Sequence, residues 1–285
     1  MRIWLPVAAV LLAVRAPLAL ADRDPNSGAP LPPPKHASTP SPITDHFYIS
    51  AAYYAPQLHT SVRVDPKGGP AGVTGTPLNA ESDLGLPQRI HEGRVDFMFR
   101  MRERSKVRLD YFEANRSGSR TIGNDVIFGN TTFPAGSLTQ NSLNFQMGDL
   151  TYTYSFYRSD RLEIGTGVAL YLIQVRLESA VPATFQSQTV TAAGPLPALP
   201  LDFAWRISSR FAITGRWAYL HADAGGARGW FADLHEDAQY RWTPNFAIGV
   251  GYSSIRSSIT STRGDNPGVF AMSISGPEAF VRFSF

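Results

Sequence analysis

The last ten residues of the chain, Gly276–Phe285, read GPEAFVRFSF. Ala279, Val281, Phe283 and Phe285 fall on one face of this stretch, and Glu278, Phe280, Arg282 and Ser284 fall on the other. An alternation with a period of two is typical of a β-strand that has one apolar face. The stretch therefore predicts a final β-strand with an aromatic residue at its end.

The same alternation recurs upstream and is cleanest over 149–157, where Leu150, Tyr152, Tyr154 and Phe156 share one face. We predict ten strands, with boundaries near 46–63, 88–102, 105–120, 142–157, 161–177, 195–207, 210–223, 229–242, 245–261 and 268–285. Short turns are predicted near 102–105, 158–160, 208–209 and 243–244, and longer loops at 64–87, 121–141 and 178–194, with shorter ones near 224–228 and 262–267. Tight turns at one end and longer loops at the other are typical of transmembrane β-barrels.

The N-terminus has the features of a secretory signal peptide over residues 1–21. Arg2 precedes an apolar stretch, and Ala19-Leu20-Ala21 provides a cleavage site; the alternative is an uncleaved membrane anchor. Residues 22–44 are rich in Pro and Ser and poor in large apolar residues, so we expect a disordered periplasmic tether there. The predicted barrel domain then occupies residues 45–285.

Composition narrows the class of protein further. The chain contains no Cys, which excludes disulfides, thiolate metal sites and a lipid-modified cysteine. Removing the signal peptide takes away two of the 26 basic side chains and none of the 23 acidic ones, so the mature chain is close to neutral. With no basic run in the sequence, we expect no nucleic-acid partner.

Aromatic residues cluster next to the predicted short turns. They are Phe156, Tyr157, Trp205, Phe211, Tyr240, Trp242, Phe246, Phe283 and Phe285. Aromatic rings at one end of many strands are typical of a girdle at the membrane interface, whereas a soluble β-sandwich has no need of them there. We therefore predict an all-β fold: an antiparallel, up-and-down transmembrane β-barrel of ten strands, with eight strands as the alternative.

The opposite faces of the strands carry charges of both signs, which we assign to the barrel lumen. They are Arg94, Asp96, Arg100, Arg108, Asp110, Asp149, Glu163, Asp202, Arg206, Arg216, Asp237, Arg241, Glu278 and Arg282. Side chains fill the interior of a narrow barrel, so we expect a polar network in which Arg94 and Asp96 pair with Arg108 and Asp110. The alternative is a thin polar conduit, which the inward glycines at 165, 167, 249 and 251 would favour.

One residue conflicts with this pattern. In the eighth predicted strand, the outward set that contains Trp242 and Tyr240 also contains Glu236. A carboxylate facing lipid is unfavourable. We expect a β-bulge to shift the register there; a partner subunit contacting Glu236 and an error in the strand assignment are the alternatives.

The sequence provides little for catalysis. The GxSxG and HExxH motifs are absent, and we predict no bound metal or cofactor. Omptin proteases are ten-stranded outer-membrane barrels with an Asp-His couple at the rim, and His221 and Asp223 resemble that couple in reverse order. No carboxylate pair faces them, since Asp83 and Asp125 are loop acids. We expect no enzyme, with an omptin-like protease or a lipid A-modifying hydrolase as the alternative.

Four stretches, at 81–87, 115–122, 128–137 and 152–165, resemble a group of proteobacterial outer-membrane β-barrel proteins of unassigned function, broadly OmpW-like or OmpA-like small barrels. We expect a monomer in the outer membrane, surrounded by lipid and lipopolysaccharide, and an even number of strands leaves both termini in the periplasm. The C-terminal strand also resembles the final strand of Gram-negative outer-membrane β-barrels. That resemblance implies that the barrel-assembly machinery, together with periplasmic chaperones, recognises Phe283 and Phe285 as an assembly signal. The function implied is a narrow channel for small solutes or a structural, surface-binding barrel.

Overall fold

The computed structural model describes residues 40–68, 73–184, 186–224, 226–262 and 267–285. The predicted signal peptide and residues 22–39 of the predicted tether lie outside this range. No helix within the described residues is both long enough and apolar enough to cross a membrane. The described chain is almost entirely β-strand, and a single 3₁₀ turn at Pro182–Thr184 interrupts it.

The strands are numbered in chain order. They are β1 Phe47–Tyr54, β2 Gln57–Val64, β3 Leu78–Asn79, β4 Glu92–Arg102, β5 Ser105–Thr121, β6 Val126–Phe128, β7 Thr131–Phe133, β8 Leu138–Arg158, β9 Leu162–Val181, β10 Gln186–Arg206, β11 Phe211–Ala224, β12 Ala227–Thr243, β13 Phe246–Ser261 and β14 Gly268–Ser284.

The sheet closes on itself. Antiparallel pairing runs in the order β1, β4, β5, β8, β9, β10, β11, β12, β13 and β14, and β14 then pairs with β1, with Ile49 opposite Phe283. Strand β2 also pairs with β14 and continues β1 as one wall strand of the barrel. The predicted ten-stranded antiparallel barrel is therefore confirmed, and its final strand closes against its first.

The first wall strand is interrupted at Ala55 and Pro56. Proline has no backbone N–H and cannot complete a ladder hydrogen bond, so the strand bends between β1 and β2. Gly276 on β14 faces the bend, and a Cβ atom there would lie 2.6 Å from the carbonyl oxygen of Ala55. The absence of a side chain at position 276 lets the two backbones approach each other.

The outer surface carries two aromatic belts. The predicted belt near the short turns is present, with eight of its nine members exposed: Phe156, Tyr157, Trp205, Phe211, Tyr240, Trp242, Phe283 and Phe285. The ninth, Phe246, is half-buried, and its ring centroid lies 5.0 Å from that of Phe283. A second belt, which the sequence analysis did not identify, lies farther up the strands and contains Tyr53, Tyr111, Tyr152, Trp217, Tyr219 and Tyr252. Exposed aliphatic side chains such as Val95, Leu109 and Val250 lie between the belts. An apolar band between two aromatic girdles is the surface expected of a transmembrane barrel.

The β-bulge expected at Glu236 is wrong. The β12–β13 register is regular from Ala227 to Arg241, and its only irregularity lies between Arg241 and Thr243. Glu236 faces outward within the second aromatic belt, where it lies opposite Tyr252 and accepts a hydrogen bond of 3.3 Å from Nε1 of Trp217. A carboxylate at a membrane interface costs far less than one at the centre of the lipid layer, so the regular register is tolerated.

The long loop predicted at 178–194 is also wrong. Strand β9 continues to Val181 and strand β10 begins at Gln186, and these two residues pair with each other. This part of the hairpin is largely exposed and its strands lack apolar alternation, which is why its sequence resembles a loop. The loops predicted at 64–87 and 121–141 contain the short strand β3 and the β6–β7 hairpin, respectively.

The close approach of β8 and β9 gives a test of the barrel geometry. A Cβ atom at Gly167 would lie 2.0 Å from the carbonyl oxygen of Tyr152, whereas one at Gly93 would meet no atom within 4 Å. We expect Gly167→Ala to lower the free energy of unfolding by about 1–3 kcal/mol, because the ladder must shift to admit the methyl group. Urea titration followed by gel mobility without heating measures the loss, and Gly93→Ala is the matched control. Equal midpoints for the two variants would contradict the close approach of β8 and β9 at Gly167.

Candidate functional site

The candidate site is the barrel lumen, whose half nearest the short turns is lined with charged residues. Strand alternation points thirteen of the fourteen predicted lumen residues inward: Arg94, Asp96, Arg100, Arg108, Asp110, Asp149, Glu163, Asp202, Arg216, Asp237, Arg241, Glu278 and Arg282. We call this set the charged layer. Arg206, on the same side of β10 as Asp202, is the exception, because it lies at the turn end of the strand and is in no ion pair of the described residues.

Several of the arginines hold a carboxylate in close two-point contact. Arg94 Nε lies 2.9 Å from both carboxylate oxygens of Asp110. Arg100 donates from both terminal nitrogens to Glu163, at 2.8 and 2.9 Å. Both pairs are almost completely shielded from solvent. Such charge-assisted pairs fix side-chain orientation as well as charge, so they hold the wall strands in register across the lumen.

The predicted pairing of Arg94 and Asp96 with Arg108 and Asp110 holds only for Arg94 and Asp110. Asp96 lies directly opposite Asp110 in the β4–β5 register, so two carboxylates face each other there. Asp96 instead accepts a hydrogen bond of 2.9 Å from the Tyr48 hydroxyl and lies 3.4 Å from Arg216. Arg108 likewise reaches across the lumen to Asp202, at 3.2 Å. The charge partners are therefore determined by which side chains meet across the lumen, more than by which residues are neighbours in the sheet.

Two further side chains contact the charged layer and were not predicted from the sequence. His235 is buried and its Nε2 lies 2.9 Å from Glu278 and 3.6 Å from Asp237. Lys106 lies 3.4 Å from Asp202. His235 lies two residues from Asp237, and Lys106 lies two residues from Arg108, so each falls on the inward face of its strand. The period of two was therefore the signal that could have identified both.

The residues that precede β1 close the mouth of the barrel at the short-turn end, which we call the lower mouth. Ser41, Ile43 and Asp45 are buried, so the prediction of a disordered tether is wrong for residues 41–44. Arg241 Nη2 lies 2.6 Å from Asp45, and Arg158 Nη2 donates to the carbonyl oxygen of Ile43 at 2.9 Å. Burial raises the pKa of the Asp45 carboxyl, and the neighbouring Arg241 opposes that rise. Composition alone could not separate this short anchored turn from the Pro-rich sequence before it.

Above the charged layer the lumen is apolar. Its inward side chains include Tyr54, Leu58, Phe112, Leu143, Phe145, Met147, Phe231, Ile255 and Ile274, all at most 1% exposed. Aromatic rings meet across the interior, with Phe112 5.3 Å from Tyr54 and Tyr171 4.7 Å from Phe231 between ring centroids. This apolar layer fills its part of the lumen with a packed core.

Two loop segments cover the apolar layer from above. Residues 78–90 place Leu78, Ala80, Leu84, Leu86 and Ile90 on it, and the β6–β7 hairpin adds Phe128 and Phe133. Polar contacts anchor the first segment to the wall. Arg116 forms an ion pair with Glu81, and Asn141 Nδ2 donates to the carbonyl oxygen of Leu84 at 2.8 Å. We call residues 78–90 the upper plug.

Little space remains inside the barrel. A cavity of about 40 Å³ lies in the charged layer beside Tyr48, Arg108 and Arg282. A cavity of this size accommodates a few water molecules. The cavity beneath the upper plug is about 10 Å³ and is lined mainly by apolar side chains. Both cavities are smaller than an organic solute.

The residues considered for catalysis are separated or already occupied. His221 and Asp223 lie on the outward face of β11, and Asp223 accepts a hydrogen bond of 2.8 Å from Arg228 Nε. Asp83 and Asp125 accept backbone N–H groups within their own loops, from Asn79 and Ala135 at 2.8 Å. Within the described ranges, no cluster of three or more His, Asp or Glu side chains is arranged to hold a metal ion.

The Arg100–Glu163 pair tests whether the charged layer supports the fold. We expect Glu163→Gln to reduce the free energy of unfolding by about 3 kcal/mol, because it leaves Arg100 buried without its counter-charge. The double variant Arg100→Met, Glu163→Met should recover most of that loss. Arg228→Gln breaks an exposed ion pair and is the control, with little effect expected. Urea unfolding gives all four values, and an unchanged midpoint for Glu163→Gln would contradict a structural role.

No family model matches the chain, and no curated protein does either. Solved structures with similar folds include the outer membrane protease OmpT from Escherichia coli, at 10% identity and a TM-score of 0.49, covering 84% of this chain and 97% of that one. Ail, the attachment invasion locus protein of Yersinia pestis, matches at 10% identity and a TM-score of 0.33, covering 84% and 99%. Neisserial surface protein A matches at 14% identity and a TM-score of 0.30, covering 84% and 97%. The fold of this chain is established by its own strand pairing, which forms a closed, ten-stranded antiparallel barrel.

Proposed function

We propose that this protein is a non-enzymatic, structural and surface-binding barrel of the outer membrane, with its short turns and both termini in the periplasm. The observation that carries the proposal is the filled lumen. The charged layer, the apolar layer and the upper plug follow one another along the barrel axis, and the residues before β1 close the lower mouth. Such a barrel presents surfaces to its surroundings and offers no route through itself.

The narrow channel is the less favoured version of this proposal. A conducting pore needs continuous water, and the apolar layer interrupts it with side chains that exclude water. The inward glycines were expected to leave space, but the ring of Phe280 lies against Gly249, with its Cζ 2.3 Å from where a Cβ would be. The glycines therefore admit neighbouring groups rather than solvent.

The part of the barrel above the second aromatic belt is the surface most suited to binding. Strands β5, β8, β9 and β10 continue there, and their outward faces become polar. Asn115, Asn144 and Gln146 lie on this face, where Glu113 accepts hydrogen bonds from all three side-chain amides. A polar sheet of this kind suits contact with lipopolysaccharide or another surface partner.

Single-channel recording in planar bilayers tests the closed lumen. We expect the reconstituted full-length protein to give no regular conductance steps, because the apolar layer is sealed by the upper plug. Leu84→Asp, Leu86→Asp introduces charge beneath that plug and should produce flickering openings. Steady, ohmic steps from the unmodified protein would contradict the proposal and favour the channel.

The absence of enzymatic activity has its own test. We expect His221→Ala, Asp223→Ala to leave the protein folded and its surface binding unchanged. Purified protein should also fail to cleave a casein substrate or to release acyl chains from lipid A. Turnover of either substrate that this double variant abolishes would show that the rim residues form an active site.

A further inference from the structure

The short-turn end of the barrel carries an uneven distribution of charge. Three successive turns, β4–β5, β8–β9 and β10–β11, lie side by side in the sheet order. Each turn contributes two arginines to the rim, at Arg102, Arg104, Arg158, Arg161, Arg206 and Arg210. Glu103 and Asp160 are the acidic residues within these turns. We call this part of the rim the basic arc.

Backbone hydrogen bonds bring the three turns together. Ser155 N donates to the carbonyl oxygen of Arg104 at 2.7 Å, which joins the first turn to β8. Arg206 N donates to the carbonyl oxygen of Arg161 at 2.8 Å, which joins the second turn to the third. The arginines thus lie on neighbouring turns that backbone hydrogen bonds hold together.

Most of this charge is not neutralised by the protein. Arg158 donates to Ile43 and Arg210 to the hydroxyl of Tyr240. No side-chain hydrogen bond or ion pair involves the guanidinium groups of Arg102, Arg104, Arg161 and Arg206 within the described residues. The fourth turn supplies a natural contrast, because its residues Thr243, Pro244 and Asn245 are uncharged.

The arc lies at the level of lipid headgroups. Tyr157, Trp205 and Phe211 of the lower aromatic belt lie on the same strands, next to the arginines. Aromatic side chains in such a belt lie at the interface between acyl chains and headgroups. Guanidinium groups placed there face phosphate groups, with which arginine forms two-point hydrogen bonds.

We propose that the basic arc binds the headgroups of anionic phospholipids in the leaflet at this end of the barrel. The inference rests on the proposed function, which places the barrel in the outer membrane with this end towards the periplasm. Because the arc covers only one side of the rim, anionic lipid gathers on that side of the barrel. The uncharged β12–β13 turn remains available on the other side.

Lipid counting by native mass spectrometry tests this inference on the full-length protein in detergent. We expect phosphatidylglycerol to bind in preference to phosphatidylcholine. Arg102→Gln, Arg104→Gln, Arg161→Gln, Arg206→Gln should weaken phosphatidylglycerol binding by at least about ten-fold, since each interfacial arginine contributes to the attraction. High salt should weaken the binding to the unmodified protein in the same direction.

A matched control removes four exposed arginines from the opposite end, through Arg89→Gln, Arg120→Gln, Arg228→Gln, Arg256→Gln. This control should bind phosphatidylglycerol as the unmodified protein does, and unheated gel mobility verifies that all the proteins are folded. Equal loss in both variants, or no loss in either, would overturn the proposal. Displacement of the lipid by inorganic phosphate at constant ionic strength would also overturn it, because the arc would then recognise the free ion. Conductance by the unmodified protein would contradict the proposed function alone and leave this result intact.

Discussion

The β1–β14 ladder is the interaction on which the rest of the structure depends. Within lipid no water satisfies an unpaired backbone group, so a spanning sheet must have no free edge. Closing the sheet with ten strands fixes the radius of the barrel, and every second side chain then faces a narrow interior. Arg282 and Glu278 on β14 face that interior, whereas Val281 and Phe283 face outward. The inner and outer surfaces therefore follow from one closing ladder.

The narrow interior is filled in two chemically different ways. In the charged layer, pairs such as Arg94–Asp110 and Arg100–Glu163 compensate each buried charge with an opposite one. In the apolar layer, side chains such as Phe112 and Phe145 pack against one another, and the upper plug keeps water away from them. The cavity in the charged layer is about 40 Å³, and the cavity beneath the upper plug is about 10 Å³. These small volumes support the proposal that the protein acts through its outer surfaces and its two ends.

The sequence predicts the local features well, because the face on which a side chain falls depends only on strand period. Alternation identified the ten wall strands, the inward charges and the lower aromatic belt. It could not identify charge partners, since Arg108 reaches Asp202 through the curvature of a closed barrel. The extended β9–β10 hairpin lacks an apolar face and so resembled a loop. The upper plug and the residues before β1 were missed because their burial depends on contacts with distant strands.

Because the chain contains no cysteine, single cysteines report solvent access to the lumen most directly. Ser253→Cys enters the charged layer and Leu143→Cys the apolar layer, while Ser117→Cys lies on the exposed outer face. The measurement is the rate of labelling by a small water-soluble maleimide, before and after heating in detergent. A filled lumen predicts rapid labelling at position 117 and protection at 143 and 253 until the barrel unfolds. Labelling of all three cysteines at similar rates in the folded protein would contradict it.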